Sequence, residues 1–181
     1  LRKALEEAGA TLIEVHMPGC DHEKSMDILL YEFKQCLNAY LSTCTDPGAT
    51  TLAEIIDFNN HDAERCLKYG QTIALDAEHK TTGRLVDPRY IASRVSVLRE
   101  SRALVDSLLK EYDLDCIVNL GWNNIPPSSG YPAISVPIGV GKDTNHPIGL
   151  TFTGPAFGEG ILFRAAYAFE QKLHGRIPPK L

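Results

Sequence analysis

The amino-acid sequence predicts an α/β or α+β protein with a mixed β-sheet. Over the first two thirds of the 181 residues, apolar side chains recur at steps of three and four, the spacing of one helical face. Short apolar runs that are typical of strands cluster near the end of the chain. Helices therefore precede most of the strands, and the length is that of one domain, which we expect to span residues 1–181.

The first forty residues contain two helical patterns and a strand pattern between them. Residues 1–9 are amphipathic and end at Gly9, a residue that commonly stops helices. Thr11–Val15 then predicts a short strand. From about Ser25 a helix of four turns or more is indicated by the spacing of its apolar residues, which are Met26, Leu30, Phe33, Leu37 and Tyr40 or Leu41.

Two capping patterns mark the following helices. Thr51–Glu54 fits a capping box, in which the Thr51 hydroxyl accepts a first-turn amide and Glu54 reaches back to the cap. A helix over 52–58 and another over about 62–79 follow. Asp87 and Pro88 open a further helix, because Asp is a favoured cap and Pro suits the first helical position. Its expected apolar stripe is Ile91, Val95, Leu98, Val105 and Leu109.

The last third of the chain carries most of the predicted strands. Cys116–Val118, Ala133–Val136 and Ile148–Phe152 are short and apolar, with a loop over Gly121–Gly130 and a turn-rich connection over Gly139–Pro147. Strands that are apolar almost throughout are typical of sheets that are covered on both faces. A final helix begins near Glu159 and is expected to bury Leu162, Ala165, Ala166, Phe169 and Leu173.

Composition excludes several functional classes. The formal net charge of −5 argues against binding to nucleic acid, which needs lysine and arginine to neutralise phosphates. No apolar run approaches the length of about 20 residues that a membrane helix requires. The five scattered cysteines form no C-x-x-C pair, which predicts free thiols in a reducing compartment and hence a cytoplasmic protein.

Two serine-containing patterns are candidates for a nucleophile. Ser107 and Lys110 match the spacing S-x-x-K, in which a neutral lysine deprotonates a serine, but a solvated surface pair is the favoured interpretation. Ser128, Ser129 and Gly130 lie in a loop without the G-x-S-x-G sequence of a nucleophile elbow, so a tight turn is favoured there.

Histidine and cysteine residues cluster twice in the sequence, but we expect no metal site. His16, Cys20 and His22 have no fourth ligand at motif spacing, and Pro18 with Gly19 prevents their presentation on a helix. The second set consists of His61, Cys66 and His79, and it too lacks the ligand spacing of a metal site.

Trp122 is the one tryptophan of the sequence, and it precedes Asn123 and Asn124 in the loop before the apolar strand. An indole beside amide groups can line a ligand pocket, with an apolar wall and polar handles. Packing of the indole beneath the loop is an equally good interpretation.

Two stretches resemble the amidase signature family. Thr51–Asn59, followed by Tyr69–Gln71, resembles the helical segment that follows the catalytic motifs in these enzymes. Gly130–Gly139, followed by Pro147–Gly154, resembles the C-terminal signature of the family. The similarity covers essentially the whole chain in the right order, with further matches at Leu5, Ala8–Ala10, Glu32–Leu41, Phe157–Glu159 and Ala165–Gln171. The branch that it resembles most includes peptide amidases and the amidase-type component of glutamyl-tRNA amidotransferases.

The resemblance implies an α/β fold, namely the C-terminal part of the amidase signature fold, with a partial mixed β-sheet covered by several amphipathic helices. Members of the family hydrolyse C–N bonds of amides with a Ser–cis-Ser–Lys triad and no cofactor. The triad motifs lie in the N-terminal half of such enzymes and match nothing in this sequence. We therefore assign no catalytic residue and expect the chain to be an inactive C-terminal portion.

The resemblance also implies that the segment from residue 119 to residue 131 borders the cleft for a small-molecule amide. The candidate substrate-binding residues are Asn119, Trp122, Asn123, Asn124 and Tyr131. Two other functions stay open. One is a non-catalytic module that binds a partner or forms a homo-oligomer through an exposed sheet edge. The other is a small serine hydrolase that uses Ser107 with Lys110, or Ser129.

Overall fold

The computed structural model describes residues 1–144 and 146–178. Its elements, in chain order, are α1 (Arg2–Glu7), α2 (His22–Leu41), α3 (Leu52–His61), α4 (Ala63–Cys66), α5 (Thr72–Lys80), α6 (Pro88–Glu111), β1 (Ile117–Leu120), α7 (Ile125–Ser129), β2 (Ala133–Val140), β3 (Pro147–Thr153) and α8 (Glu159–Leu173). The predicted α/β fold class is confirmed. Residue 145, in the connection predicted between β2 and β3, lies outside the described residues.

The chain forms two compact units. One unit consists of residues 1–20 and 98–181, and the other consists of residues 21–97. The boundary between residues 97 and 98 falls within α6. That residues 1–181 form a single domain stays a prediction.

The first unit contains a three-stranded sheet in the order β1-β3-β2, with antiparallel pairing on both sides of β3. Among the described residues the sheet is therefore antiparallel, and not mixed as predicted. Val118, Phe152 and Ile134 share one row across the three strands, and Asn119, Thr151 and Ser135 share the next. Since side chains alternate between the faces of a strand, these two rows point to opposite faces. The sheet therefore has one apolar face and one with a polar row.

Helix α8 covers the apolar face of the sheet. Its Leu162, Ala166 and Phe169 are almost fully buried with Phe152 and Leu150 of β3 in one hydrophobic cluster. The rings of Phe152 and Phe169 lie 5.8 Å apart at a tilt of 58°, a favourable geometry for an aromatic pair. As predicted, the helix begins at Glu159 and presents its apolar stripe to the strands.

In the second unit, α2, α3 and α5 surround a smaller core, which consists of Leu30, Leu52, Ile56 and Ala77. The Asp21 side chain caps α2 by accepting the amide of Lys24, and Thr51 caps α3 by accepting the amide of Glu54. The ammonium group of Lys34 lies 2.9 Å from the Glu78 carboxylate and also donates to its carbonyl, which ties α2 to α5.

Three local predictions are wrong. Thr11–Val15 is not a strand, because it has no ladder partner among the described residues. The helix predicted over 62–79 is two helices, α4 and α5, since Gly70 between them has φ +71°, a left-handed conformation that interrupts a helix.

The third correction concerns the apolar stripe of α6. Ile91 and Val95 are 47% and 58% exposed, so they do not belong to the buried face. That face instead follows steps of four residues through Ser93, Val97, Ser101 and Val105, all less than one tenth exposed. Two of its members are serines, which a search for apolar periodicity does not count.

Candidate functional site

Four of the five candidate residues lie in the segment that joins β1 to β2, and Asn119 lies in β1 itself. We call residues 121–131 of this segment the 121–131 loop. The loop begins at Gly121, directly after β1, and the hydrogen bonds of Gly121 hold this residue in place. Its amide donates to the Gly149 carbonyl at 2.8 Å. Its carbonyl accepts hydrogen bonds from the Asn119 side-chain amide at 3.1 Å and from the Thr151 hydroxyl at 2.9 Å. The first residue of the loop is thus bonded to two strands.

The asparagines of the loop are bonded within the chain. The Asn123 amide donates to the side-chain oxygen of Asn119, and its own oxygen accepts the amide of Ile125 at 2.8 Å. Asn124 forms a two-bond bridge to the backbone of Cys20, accepting from its amide at 3.2 Å and donating to its carbonyl at 3.3 Å. These amide groups therefore shape the loop and join it to residue 20.

The loop ends in a short helix and a left-handed glycine. Ile125–Ser129 forms α7, and Gly130 follows with φ +70°, as is usual after the end of a helix. The tight turn predicted at Ser128–Gly130 is therefore the end of a helix. The Ser129 hydroxyl accepts the amide of Tyr131 at 3.1 Å, and the side chain of Ser129 is fully buried.

Helix α6 contacts the end of the loop through two side chains. The guanidinium Nε of Arg102 donates to the carbonyl of Ser129 at 2.8 Å. The Tyr131 hydroxyl lies 2.9 Å from both carboxylate oxygens of Asp106 and donates to that group. Burial, and then this hydrogen bond, raises the pKa of Tyr131 above its usual value.

Trp122 differs from the other four candidates in its exposure. Its side chain is 80% exposed, whereas Asn119, Asn123, Asn124 and Tyr131 are half-buried. The indole is therefore not packed beneath the loop, which favours the interpretation of Trp122 as an open apolar surface.

A polar row across the sheet adjoins the loop and was missed by sequence reasoning. Asn119, Thr151 and Ser135 lie side by side on the three strands, and the hydroxyls of Thr151 and Ser135 are 3.4 Å apart. A side chain at Gly149 would collide with the Ser135 hydroxyl, so this glycine makes room for the row. Each strand shows a polar residue between apolar ones, but the sequence does not reveal which of them become neighbours.

Neither of the serine patterns is arranged as a nucleophile. Ser107 is exposed and donates its hydroxyl to the Leu104 carbonyl at 3.0 Å, a bond within its own helix. Ser129 is fully buried and bonded to the backbone on both sides, at Pro126 and Tyr131. A serine nucleophile needs a base in contact with an accessible hydroxyl, and neither residue meets both conditions.

The cysteine and histidine residues do not form a metal-binding cluster among the described residues. In the described parts of the chain, no three side chains of histidine, cysteine, aspartate and glutamate converge as a metal site would require. The backbone of Cys20 is hydrogen-bonded to Asn124 of the loop, and burial raises the pKa of the Cys20 thiol. The thiol is therefore less ionised than an exposed one at neutral pH.

An open groove of about 780 Å³ lies in the same unit, and none of the candidate residues lines it. It is lined by α1, the segment from residue 9 to residue 15, the start of β1 and one side of α8. The outer edge of β1 has no paired strand among the described residues, and Ile13 and Val118 are partly exposed beside it.

Comparisons with known proteins identify the relatives of the chain. It is 36% identical over 172 residues to a "probable amidase" of Arabidopsis thaliana, a match that covers 93% of this chain and 33% of that protein. This chain is homologous to the amidases. Over 54 residues it is also 50% identical to a component of the glutamyl-tRNA(Gln) amidotransferase of Halothermothrix orenii, which corresponds to 29% of this chain and 11% of that protein. No family model matches the sequence.

Solved structures agree with this relationship. The native peptide amidase of Stenotrophomonas maltophilia matches with a TM-score of 0.80 at 30% identity, over 99% of this chain and 41% of that one. An amidase family protein of Bacillus anthracis matches with a TM-score of 0.80 at 34% identity, over 99% of this chain and 36% of that one. The predicted resemblance to the C-terminal portion of the amidase signature family is confirmed. The chain spans about a third of the length of the Arabidopsis relative.

Among the described residues, no helix is both long enough and apolar enough to cross a membrane.

Proposed function

We propose that this chain forms the scaffold and one wall of the substrate pocket in an amidase that hydrolyses C–N bonds of non-peptide or terminal amides. The products are a carboxylate and ammonia or an amine. The similarity of nearly the whole chain to a peptide amidase and to an amidase family protein, in sequence as well as in fold, carries this proposal.

In this proposal the 121–131 loop borders the pocket for a small-molecule amide. Trp122 provides an apolar surface, which its exposure leaves available to a ligand. Asn119, Asn123, Asn124 and Tyr131 hold the loop in the shape that presents the indole, through the hydrogen bonds described above.

The chain by itself is proposed to be inactive, and the environments of Ser107 and Ser129 support this. One hydroxyl is engaged within its helix and the other is inaccessible. The purified chain is therefore expected to release no ammonia from simple aliphatic and aromatic amides, and to remain unlabelled by a fluorophosphonate probe. Enzymatic release of ammonia would overturn this part of the proposal, and labelling would favour the serine hydrolase.

A chimera tests the positive part of the proposal. In it, this chain replaces the matching 41% of the Stenotrophomonas maltophilia peptide amidase. We expect a folded chimera to hydrolyse amides and Trp122→Ala to change the KM or the substrate preference severalfold. Phe163→Ala, which alters an exposed aromatic residue of α8, is the matched control. An inactive, folded chimera would contradict the proposed function, and an unchanged substrate profile in Trp122→Ala would remove the loop from the pocket.

The unpaired edge of β1 supports a second candidate function, a non-catalytic module that forms homo-oligomers. An exposed edge presents amide and carbonyl groups that can pair with another strand. Sedimentation equilibrium tests this alternative, because a purely monomeric chain at concentrations up to about 100 μM, where weak specific interfaces associate, would exclude it.

A further inference from the structure

We propose that Arg102 and Asp106 are positioning residues, which clamp the end of the 121–131 loop to α6 and thereby fix the orientation of Trp122. The effect on substrate binding rests on the proposed function, whereas the effect on the loop does not.

Arg102 and Asp106 do not form an ion pair with each other. Arg102 and Asp106 are four positions apart on α6, the spacing at which opposite charges on a helix pair with each other. Within residues 1–144 and 146–178, however, Arg102 forms no ion pair with any carboxylate. Both side chains contact the loop instead. Arg102 donates to the Ser129 carbonyl, and Asp106 accepts a hydrogen bond from the Tyr131 hydroxyl.

The guanidinium group of Arg102 lies against the end of the loop. Its Nε lies 2.8 Å from the Ser129 carbonyl, and its guanidinium carbon lies 5.8 Å from the centre of the Tyr131 ring. A terminal nitrogen of the same group lies 3.8 Å from the position that a side chain at Gly130 would occupy. One guanidinium therefore contacts Ser129 and Tyr131 on either side of Gly130, and its hydrogen bond is strengthened by its charge.

The carbonyl of Ser129, to which Arg102 donates, lies at the point where α7 ends. The last turn of α7 places this carbonyl before a glycine at φ +70°, so the direction of the chain changes at the next residue. Asp106 holds the far side of the turn through the Tyr131 hydroxyl. Gly121 is bonded to two strands at the start of the loop, so both of its ends are fixed while Trp122 is left open.

The isolated chain allows a direct test, because Trp122 is its one tryptophan and reports on the loop alone. The variant is Arg102→Met, which keeps the length of the side chain and removes the donor. Arg99→Met is the matched control, since Arg99 lies on the same helix with its side chain 77% exposed. Arg102→Lys retains the charge and serves as the conservative variant.

Hydrogen exchange and fluorescence anisotropy are measured on all three variants. In Arg102→Met we expect roughly tenfold faster exchange of the Gly130 and Tyr131 amides, as follows from losing one charge-assisted hydrogen bond. The rapid component of Trp122 depolarisation should increase as well, with Arg102→Lys intermediate and Arg99→Met like the parent chain. Unchanged exchange and anisotropy in Arg102→Met would overturn the inference. If that variant fails to fold, Asp106→Ala, which removes the acceptor of the Tyr131 hydroxyl, is measured instead, and parent-like exchange and anisotropy in it would overturn the inference.

Kinetics in the chimera separate this inference from the proposed function. Arg102→Met should raise the KM severalfold with a smaller change in kcat, because the wall of the pocket moves while the reacting groups do not. An active chimera with an unchanged KM, together with a mobile loop, would place the loop outside the pocket and leave the clamp standing. A rigid loop in Arg102→Met would refute the clamp and leave the amidase proposal intact.

Discussion

At the scale of single residues, the candidate site depends on where each side chain forms its hydrogen bonds. The sequence indicated Asn123 and Asn124 because an amide can bind a ligand, and the family resemblance added Asn119; the structure gives all three internal partners. Trp122, by contrast, has a mostly exposed side chain. Residue type alone therefore did not separate the side chains that are bonded within the loop from the one that is exposed, and the role of this segment in substrate binding stays a prediction.

Tyr131 allows a prediction of how the stability of the chain depends on pH. Its pKa is raised in the folded chain, so the neutral phenol contributes stability at pH values below the ordinary value of about 10. This contribution is lost as the pH rises through the folded pKa, when the phenolate would face the Asp106 carboxylate. We expect Tyr131→Phe to lose less stability than the parent chain between about pH 9 and 11, a range that brackets the ordinary value.

The measurement is the free energy of unfolding in urea at several pH values across this range. Comparing the two chains is necessary because burial and Glu32 also raise the pKa of Tyr90, which both chains contain. Parallel pH profiles for the parent chain and Tyr131→Phe would contradict the prediction.

At the scale of elements, the start of α3 illustrates how well capping can be predicted. The Thr51 hydroxyl accepts the amide of Glu54 at 3.2 Å, as the sequence predicts. The Glu54 carboxylate, however, accepts from the amide and hydroxyl of Thr50, one residue earlier than in the predicted capping box. These bonds lower the pKa of Glu54. The capping box therefore predicts that the Glu54 side chain turns back towards the start of the helix, and the backbone before the helix decides which residue it reaches.

The cap predicts the effect of Thr51→Ala. Losing the hydroxyl leaves an amide of the first turn without its side-chain acceptor, which should lower the free energy of unfolding by about 1 kcal/mol. Thr51→Ser keeps the hydroxyl and is the control. Urea denaturation distinguishes the two, and equal stabilities of Thr51→Ala and Thr51→Ser would show that the cap contributes nothing measurable.

Helix α6 shows where element-level prediction fails. Its beginning at Pro88 is predicted correctly, because the signal from Asp87 and Pro88 is local. Its buried face is not, because Ser93 and Ser101 lie on that face while Ile91 and Val95 are exposed. A small polar side chain can be buried on a helix face as well as an apolar one, and which face is buried is a property of the packed structure.

At the scale of the whole molecule, the core between α8 and the sheet stabilises the unit that carries the candidate site. Phe169 is fully buried against Phe152 in this core. Phe169→Ala should therefore destabilise the chain by about 3–5 kcal/mol, since it removes a buried ring and leaves a cavity. The readout is the free energy of unfolding in urea.

Phe163→Ala is the control for this prediction. Phe163 lies on the same helix but is 64% exposed, so its loss should change the stability by no more than about 0.5 kcal/mol. If the two variants were equally stable, α8 would not cover the sheet as described.

The sequence by itself determined the α/β class, the starts of α3, α6 and α8, the strands β2 and β3, and the kinship with amidases. These features depend on local patterns, namely capping residues, periodicity and the spacing of glycine and proline, which a reader of the chain can see directly. Tertiary structure decided which strand lies between the others, which face of α6 is buried, and that Arg102 and Asp106 meet Ser129 and Tyr131. These contacts join residues 25 or more positions apart, and such proximity is set by the packing of whole elements, which no local pattern encodes.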